Sequence, residues 1–165
     1  MKTIVGNLCK LTMKIEDTAK KIVIRTAGRK DLNELSIAFS TIFSEKPYSE
    51  RWSRLRMRAR ILAYLKKDFF FVAIADKKIV GFIVANLFDY WDGKRAYIAE
   101  LGVLKEFRSF GVGTKLVHLI EKRFTKENVT LIEVNADLGD PNAVRFYQSL
   151  GYKRTLVIEL AKQLP

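Results

Sequence analysis

Residues 100–124, ELGVLKEFRSFGVGTKLVHLIEKRF, decide how the rest of the chain is read. Ahead of and into them, 96–104 is an apolar run of strand character; a basic turn at 105–108 follows, then Gly111 and Gly113, then an amphipathic helix. A strand that feeds a glycine turn opening a helix is a phosphate-cradle layout. Glycine lets backbone come close to a ligand, and the free N–H groups and dipole of a helix start favour an anion. Arg108 and Lys115 bracket the turn with positive charge. Two common glycine motifs do not fit. A Walker A loop needs Gly-Lys-Ser/Thr where Gly113, Thr114 and Lys115 stand, and a Rossmann fingerprint needs a third glycine where Leu116 stands.

Working outward toward the N-terminus, β-branched Ile22, Val23 and Ile24 predict a strand at 21–27. Asp31 with Glu34 reads as a capping-box start, and Leu32, Leu35, Ala38, Phe39 and Ile42 give the stripe of a helix at 31–43. Pro47 breaks the chain, and Ser49 can cap a second helix at 50–66 with Trp52, Leu55, Ala59, Leu62 and Leu65 on its apolar side. Strands at 69–75 and 79–87 flank Asp76, Lys77 and Lys78, a hairpin signal. A loop at 88–94 carries Tyr90, Trp91 and Gly93, aromatics that either border a groove or cover the sheet; a strand at 95–104 leads into the cradle and a helix at 112–125. Downstream lie a strand at 130–135 and a helix at 141–150 that starts on Asp140 and Pro141 and ends on Gly151, before a last strand at 152–160. Helices after the fourth and fifth strands require right-handed crossovers and parallel pairing there, while the hairpin makes the front half antiparallel. The expectation is a mixed α/β domain over 22–165 with about four flanking helices. Residues 1–21, with five lysines, are read as an N-terminal appendage.

At 165 residues the chain is one domain long, and 48% hydrophobic with 29% charged residues is a globular composition. No run approaches the roughly 20 apolar residues of a membrane span and no signal-type core stands at the N-terminus, so a cytoplasmic protein without a membrane partner is expected. Cys9 is the lone cysteine and His118 the lone histidine, which excludes an internal disulfide and a clustered Cys/His site; no metal is expected. The net charge of +12 is uneven: residues 1–67 hold 16 Lys/Arg against 6 Asp/Glu, leaving only +2 for the remainder. Such a field attracts polyanions, and acyl-CoA, RNA and acidic protein surfaces all qualify. Arg51, Arg54, Arg56, Arg58 and Arg60 on the second helix admit a solvated face, a substrate-facing role or a nucleic-acid platform.

Residues 108–113, Arg-Ser-Phe-Gly-Val-Gly, resemble the Arg/Gln-x-x-Gly-x-Gly/Ala signature of the GNAT superfamily of acyl-CoA-dependent N-acetyltransferases. A second stretch, with Asn142, Ala143, Phe146, Tyr147, Leu150, Gly151 and Tyr152, is similar to that family's C-terminal motif, Ala143 following Asn142 directly. With Leu101 and Val103 ahead of the cradle and the matching order of elements, the resemblance covers about 22–160.

The resemblance implies a sheet whose parallel strands 4 and 5 splay apart to admit the pantetheine arm of acetyl-CoA, a cosubstrate. Its pyrophosphate would lie on the turn of Arg108, Ser109, Phe110, Gly111, Val112, Gly113 and Thr114, with Lys115 adding charge and Asn142 close by. The backbone of Leu101, Gly102 and Val103 would pair with the pantetheine amides. Tyr147, in the family's phenol position, would serve the departing thiolate. Because an amine is mostly protonated at neutral pH, a proton acceptor is also needed. Glu133 and Glu100, each an acid in a strand of buried type, are the candidates. Glu133 resembles the glutamate base of N-terminal acetyltransferases acting on ribosomal proteins, with about four extra residues, 137–140, before Asn142. The acceptor stays open among a protein N-terminus, a lysine, a polyamine and a drug-like amine; the arginine-rich helix disfavours polycations. The alternative is a non-catalytic nucleic-acid or ribosome-binding module on the same scaffold, and the sequence leaves room for a homodimer.

Overall fold

In the computed structural model, residues 21–67, 69–158 and 160–163 are described; the appendage expected at 1–21 lies almost wholly outside them. Strand β1 (Val23–Thr26) leads through a single 3-10 turn into helices α1 (Leu32–Ser44) and α2 (Arg54–Tyr64). Strands β2 (Phe69–Ala75), β3 (Lys78–Tyr90) and β4 (Gly93–Val103) follow, then α3 (Val112–Lys126), β5 (Val129–Val134) and α4 (Pro141–Ser149). The five strands form one sheet in chain order, antiparallel except for the β4–β5 pair, as expected for a mixed sheet. Helices α1 and α2 pack Leu35, Phe39, Met57 and Ile61 on one face against Phe70, Val72 and Phe82. The other face carries α3 and Tyr147 of α4, with Leu116, Val117, Ile120 and Phe124 on Phe71, Ile83 and Ile98.

Local chemistry accounts for most elements and for several differences. Asp76 and Lys77 take φ of 49° and 65°, so the β2–β3 hairpin closes on two left-handed residues. The loop expected at 88–94 shrinks to Trp91 and Asp92. Phe88 pairs with Arg95 and Tyr90 with Gly93, and the Arg95 guanidinium stacks 4.3 Å from the Tyr90 ring. Trp91 at the tip is 93% exposed and so does not cover the sheet. The capping box at Asp31 and Glu34 does not form. Asp31 is buried, accepts from the Gly28 N–H at 2.8 Å and from both terminal nitrogens of Arg25 at 2.7 Å, and so ties β1 to the helix start. That hydrogen-bonded guanidinium holds its carboxyl below the usual carboxylate range. Glu34 instead accepts from the Ile79 N–H at 2.6 Å. Helix α2 starts four residues later than expected, because Ser49 and Glu50 donate their N–H groups back to Glu45 and Phe43; Ser53, not Ser49, is the cap.

The strand expected at 152–160 is not formed. Its described residues pair with no strand, and Leu156, Val157, Ile158 and Leu160 are 75–102% exposed. Alternating and β-branched residues give a segment strand chemistry, but a strand needs a neighbour to exchange hydrogen bonds with.

Gly102 marks the tightest point of the sheet. A Cβ built there would stand 2.6 Å from Cζ of Phe82, which is fully buried and stacked on Phe39 at 3.8 Å. Neither ring has room to retreat, so Gly102→Ala should cost about 2 kcal/mol, or a fall in Tm of roughly 4–8 °C. A thermal melt within about a degree of the parent would contradict this account.

Candidate active site

The site originates in one extra residue. Along β4, Glu100 pairs with Val84 and Ile98 with Ala85, so Ala99 is a bulge. Alternation is therefore interrupted: Ile98 and Leu101 both pack on the α3 side, while Ala99 faces the α1 side and Glu100 reaches α2. Pairing between β4 and β5 stops at the same place, with Ile98 opposite Val134 as the last registered pair. Beyond it the strands part, and the β4 edge from Ala99 to Val103 has no strand partner on the β5 side.

A cleft of about 720 Å³ opens in that gap, walled by 98–103 of β4 and Val134, Asn135 and Ala136 after β5. Its floor is the start of α3. Ser109 and Gly111 adopt φ of 67° and 71°, and Gly111 is the N-cap. The first main-chain bond of the helix runs from the Lys115 N–H to the Gly111 carbonyl, which leaves the N–H groups of Val112, Gly113 and Thr114 without helical acceptors and directed at an incoming anion. Gly111 is required by its φ. Gly113 has another reason to be glycine: a Cβ there would lie 3.3 Å from the Phe146 ring of α4, so the two motif stretches meet at this contact.

Helix α4 forms the opposite wall. Asp140 caps it, with Oδ1 accepting from the N–H groups of Asn142 and Ala143 at 3.1 and 3.2 Å, and it sets Asn142 and Tyr147 on the cleft. Tyr147 is buried, edge-on to Phe146 and Tyr152, and burial pushes its phenol above the ordinary tyrosine range. It remains protonated at neutral pH. Across the mouth, the turn after α1 is strapped to both sides. Arg108 donates to Glu45 at 2.9 Å and to the Val103 carbonyl at 3.0 Å, and Tyr48 donates to Asp140 at 3.2 Å.

Two acids line the cleft, Glu100 and Asp140, and Asp140 is engaged by the Tyr48 hydroxyl and the first N–H groups of α4, so Glu100 is the candidate proton acceptor. Its side chain is 12% exposed, and Oε1 accepts from the Tyr64 hydroxyl at 2.6 Å and from the Arg60 guanidinium, leaving Oε2 without a partner among the described residues. Glu133 does not line the cleft. It pairs with Tyr97 inside the β4–β5 ladder, before the strands part, and borders a groove on the outer edge of β5. Of the other expected residues, Leu101, Gly102, Val103, Arg108, Ser109, Gly111, Val112, Gly113, Thr114, Asn142 and Tyr147 line the cleft, whereas Phe110 and Lys115 do not. Phe110 is 68% exposed. Sequence reasoning missed Tyr48, Glu45 and Tyr64, and it left Arg60 undecided within the arginine row of the second helix. The i, i+4 spacing of Arg60 and Tyr64 places them on one helix face, but nothing local says that β4 lies opposite. The arginine row of α2 is also partly consumed, since Arg60 engages Glu100 and Arg58 engages Asn33.

Comparison with known proteins bears on this cleft. A profile of the acetyltransferase (GNAT) family matches residues 32–152. An N-alpha-acetyltransferase MAK3 of Arabidopsis thaliana is 30% identical over 58% of this chain and 50% of its own length. An uncharacterized N-acetyltransferase of Methanocaldococcus jannaschii is 34% identical over 51% of this chain and 52% of its own. The chain thus spans about half the length of these curated relatives. The solved structure of an aminoglycoside N-acetyltransferase in complex with CoA superposes with a TM-score of 0.72 at 19% identity, over 87% of this chain and 95% of that one, and so shares the fold.

Proposed function

The chain belongs to the GNAT acetyltransferase family, and from that premise we propose that it moves the acetyl group of acetyl-CoA to a primary amine by direct attack within a ternary complex, the amine being the α-amino group of a protein or peptide. The observation that carries this reading is the coincidence at one place of the Ala99 bulge, the end of β4–β5 pairing and the open N-terminus of α3. The residues present suit the cosubstrate. The unpaired edge of β4 offers amide partners to an extended pantetheine arm, and the N–H groups of 112–114 suit a pyrophosphate. Acetyl-CoA supplies the activated acyl group. The chain's own residues bind it, orient it and handle protons. Backbone N–H groups of the β4 edge polarise the thioester carbonyl, Tyr147 donates a hydrogen bond toward the departing sulfur, and the free Oε2 of Glu100 accepts a proton from the attacking amine. Glu133 is set aside as the base because it borders another surface.

The α-amino acceptor is favoured by the relative described as an N-alpha-acetyltransferase and by the Arg60 pair, which tempers the negative charge that a polycation would seek. Binding is tested by thermal denaturation with increasing acetyl-CoA. Saturation at about 100 times Kd should stabilise by about 2.7 kcal/mol and raise Tm by roughly 5–10 °C. No rise at millimolar acetyl-CoA would remove the enzyme reading and leave an RNA-binding module to be tested by filter binding at two salt concentrations. Acetylation assays over N-terminal peptides, lysine peptides, polyamines and aminoglycosides then identify the acceptor; transfer only to the last two would overturn the peptide assignment.

A further inference from the structure

Arg60 is held more firmly than its pairing with Glu100 alone requires. Its guanidinium lies 5.1 Å from the centre of the Trp52 ring and 5.3 Å from that of Tyr64, while Nη2 donates to Glu100. Two rings and a carboxylate fix the plane of the group before any ligand arrives. A guanidinium carries five N–H donors, and with 41% of this side chain exposed, donors remain for a further acceptor. Beside them stands Oε2 of Glu100, without a partner among the described residues. The helix around the pair is basic. Arg56 lies one turn before Arg60 on the same edge of α2, and it, Arg51 and Arg54 are exposed with no ion pair among the described residues. The acid at the start of this row is Glu50, which accepts from the Trp52 indole N–H. Helix α2 packs on the sheet face opposite to α3, so this charge stands apart from the glycine turn.

We propose that Arg60 selects acceptors with an acidic second residue, its guanidinium binding that carboxylate while the α-amine sits at Oε2 of Glu100, with Arg56 adding to the attraction. This rests on acetyl transfer to an α-amine at Glu100. In an extended chain an α-amine and the carboxylate of the next side chain stand about 5–7 Å apart, so one dipeptide reaches both members of the pair. The acceptor then meets Glu100 and Arg60 with the opposite charges in the same order, and a planar guanidinium fixed by its neighbours suits a carboxylate. Preorganisation matters here, because an arginine free in solvent would lose its rotamer freedom on binding. A polyamine has no carboxylate to offer. A nucleic acid would meet the arginines through its phosphates and bring no amine to Glu100.

Steady-state kinetics on two peptides alike except for Asp or Asn at the second position test this. At low salt the parental chain should favour the Asp peptide about tenfold in kcat/KM, carried by KM, and the preference should shrink in about 0.5 M salt. Arg60→Gln should bring the ratio to about one; both peptides meet the same Glu100 in that variant, so the ratio is free of any change at the base. Arg60→Lys keeps the charge without the fork or the stacking and should restore part of the preference. Arg56→Gln, at an exposed position, should lower it about twofold. Calorimetric titration of the Asp peptide into protein saturated with CoA should show the Arg60→Gln loss without turnover. A parental ratio of about one, or a preference that Arg60→Gln leaves unchanged, overturns the proposal. So does a lost preference beside poly(U) binding that Arg60→Gln and Arg56→Gln abolish, which gives the row to RNA. No transfer to either peptide is a different failure: it overturns acetylation of α-amines, and this inference with it.

Discussion

Replacing Tyr147 by Phe should lower kcat by about 10²- to 10³-fold while leaving acetyl-CoA affinity within about twofold. The ring itself holds α4 to the sheet, edge-on to Phe146 and Tyr152, and Phe keeps those contacts, so Tm should move little. What is lost is one O–H at the cleft wall. Burial raises the phenol above its ordinary pKa of ~10, whereas a thiol titrates near ~8.5, so outright proton transfer from Tyr147 to a thiolate is uphill. In the proposed mechanism Tyr147 would therefore act as a hydrogen-bond donor to the sulfur as charge builds there. The kinetic signature follows: a loss in kcat and in kcat/KM of similar size, with binding spared. Parental turnover in the variant would take Tyr147 out of the chemistry.

Glu100→Gln is expected to reduce the rate by about 10²-fold at pH 7, with the deficit narrowing as pH rises toward the amine's own pKa of ~8, where the neutral amine needs no acceptor. The amide keeps an oxygen for the Tyr64 hydroxyl and the Arg60 guanidinium, so the α2–β4 contact survives in outline. Glu133→Gln serves as the comparison and should stay near the parental rate, since that side chain borders the groove beyond β5. A pH–rate profile showing the loss in Glu133→Gln and not in Glu100→Gln would reverse the assignment. An equal deficit at every pH would make Glu100 a binding group for the amine and not its base.

Much of this was legible in the residues. The cradle at 108–114, the hairpin at Asp76 and Lys77, the cap at Asp140 and the stripe of α3 are set within a few residues of each other, by φ preferences, caps and a 3.6-residue period. The expected parallel placement of strands 4 and 5 followed from the handedness of crossovers. Elsewhere local patterns misled. Asp31 had the spacing of a capping box but found a guanidinium from β1, a stronger partner than the backbone beside it. The stretch after Gly151 had a strand's composition and, among the described residues, no strand paired with it.

The sequence by itself determined the order of elements as far as α4 and the glycine turn before α3, because both depend on interactions a few residues long. Only the tertiary structure decided which glutamate faces the cleft. A single bulged residue, Ala99, turns Glu100 toward Arg60 and Tyr64 at the point where β4 leaves β5, while Glu133 stays within the ladder. A bulge is a mismatch of register between two strands, so no property of either strand alone specifies it.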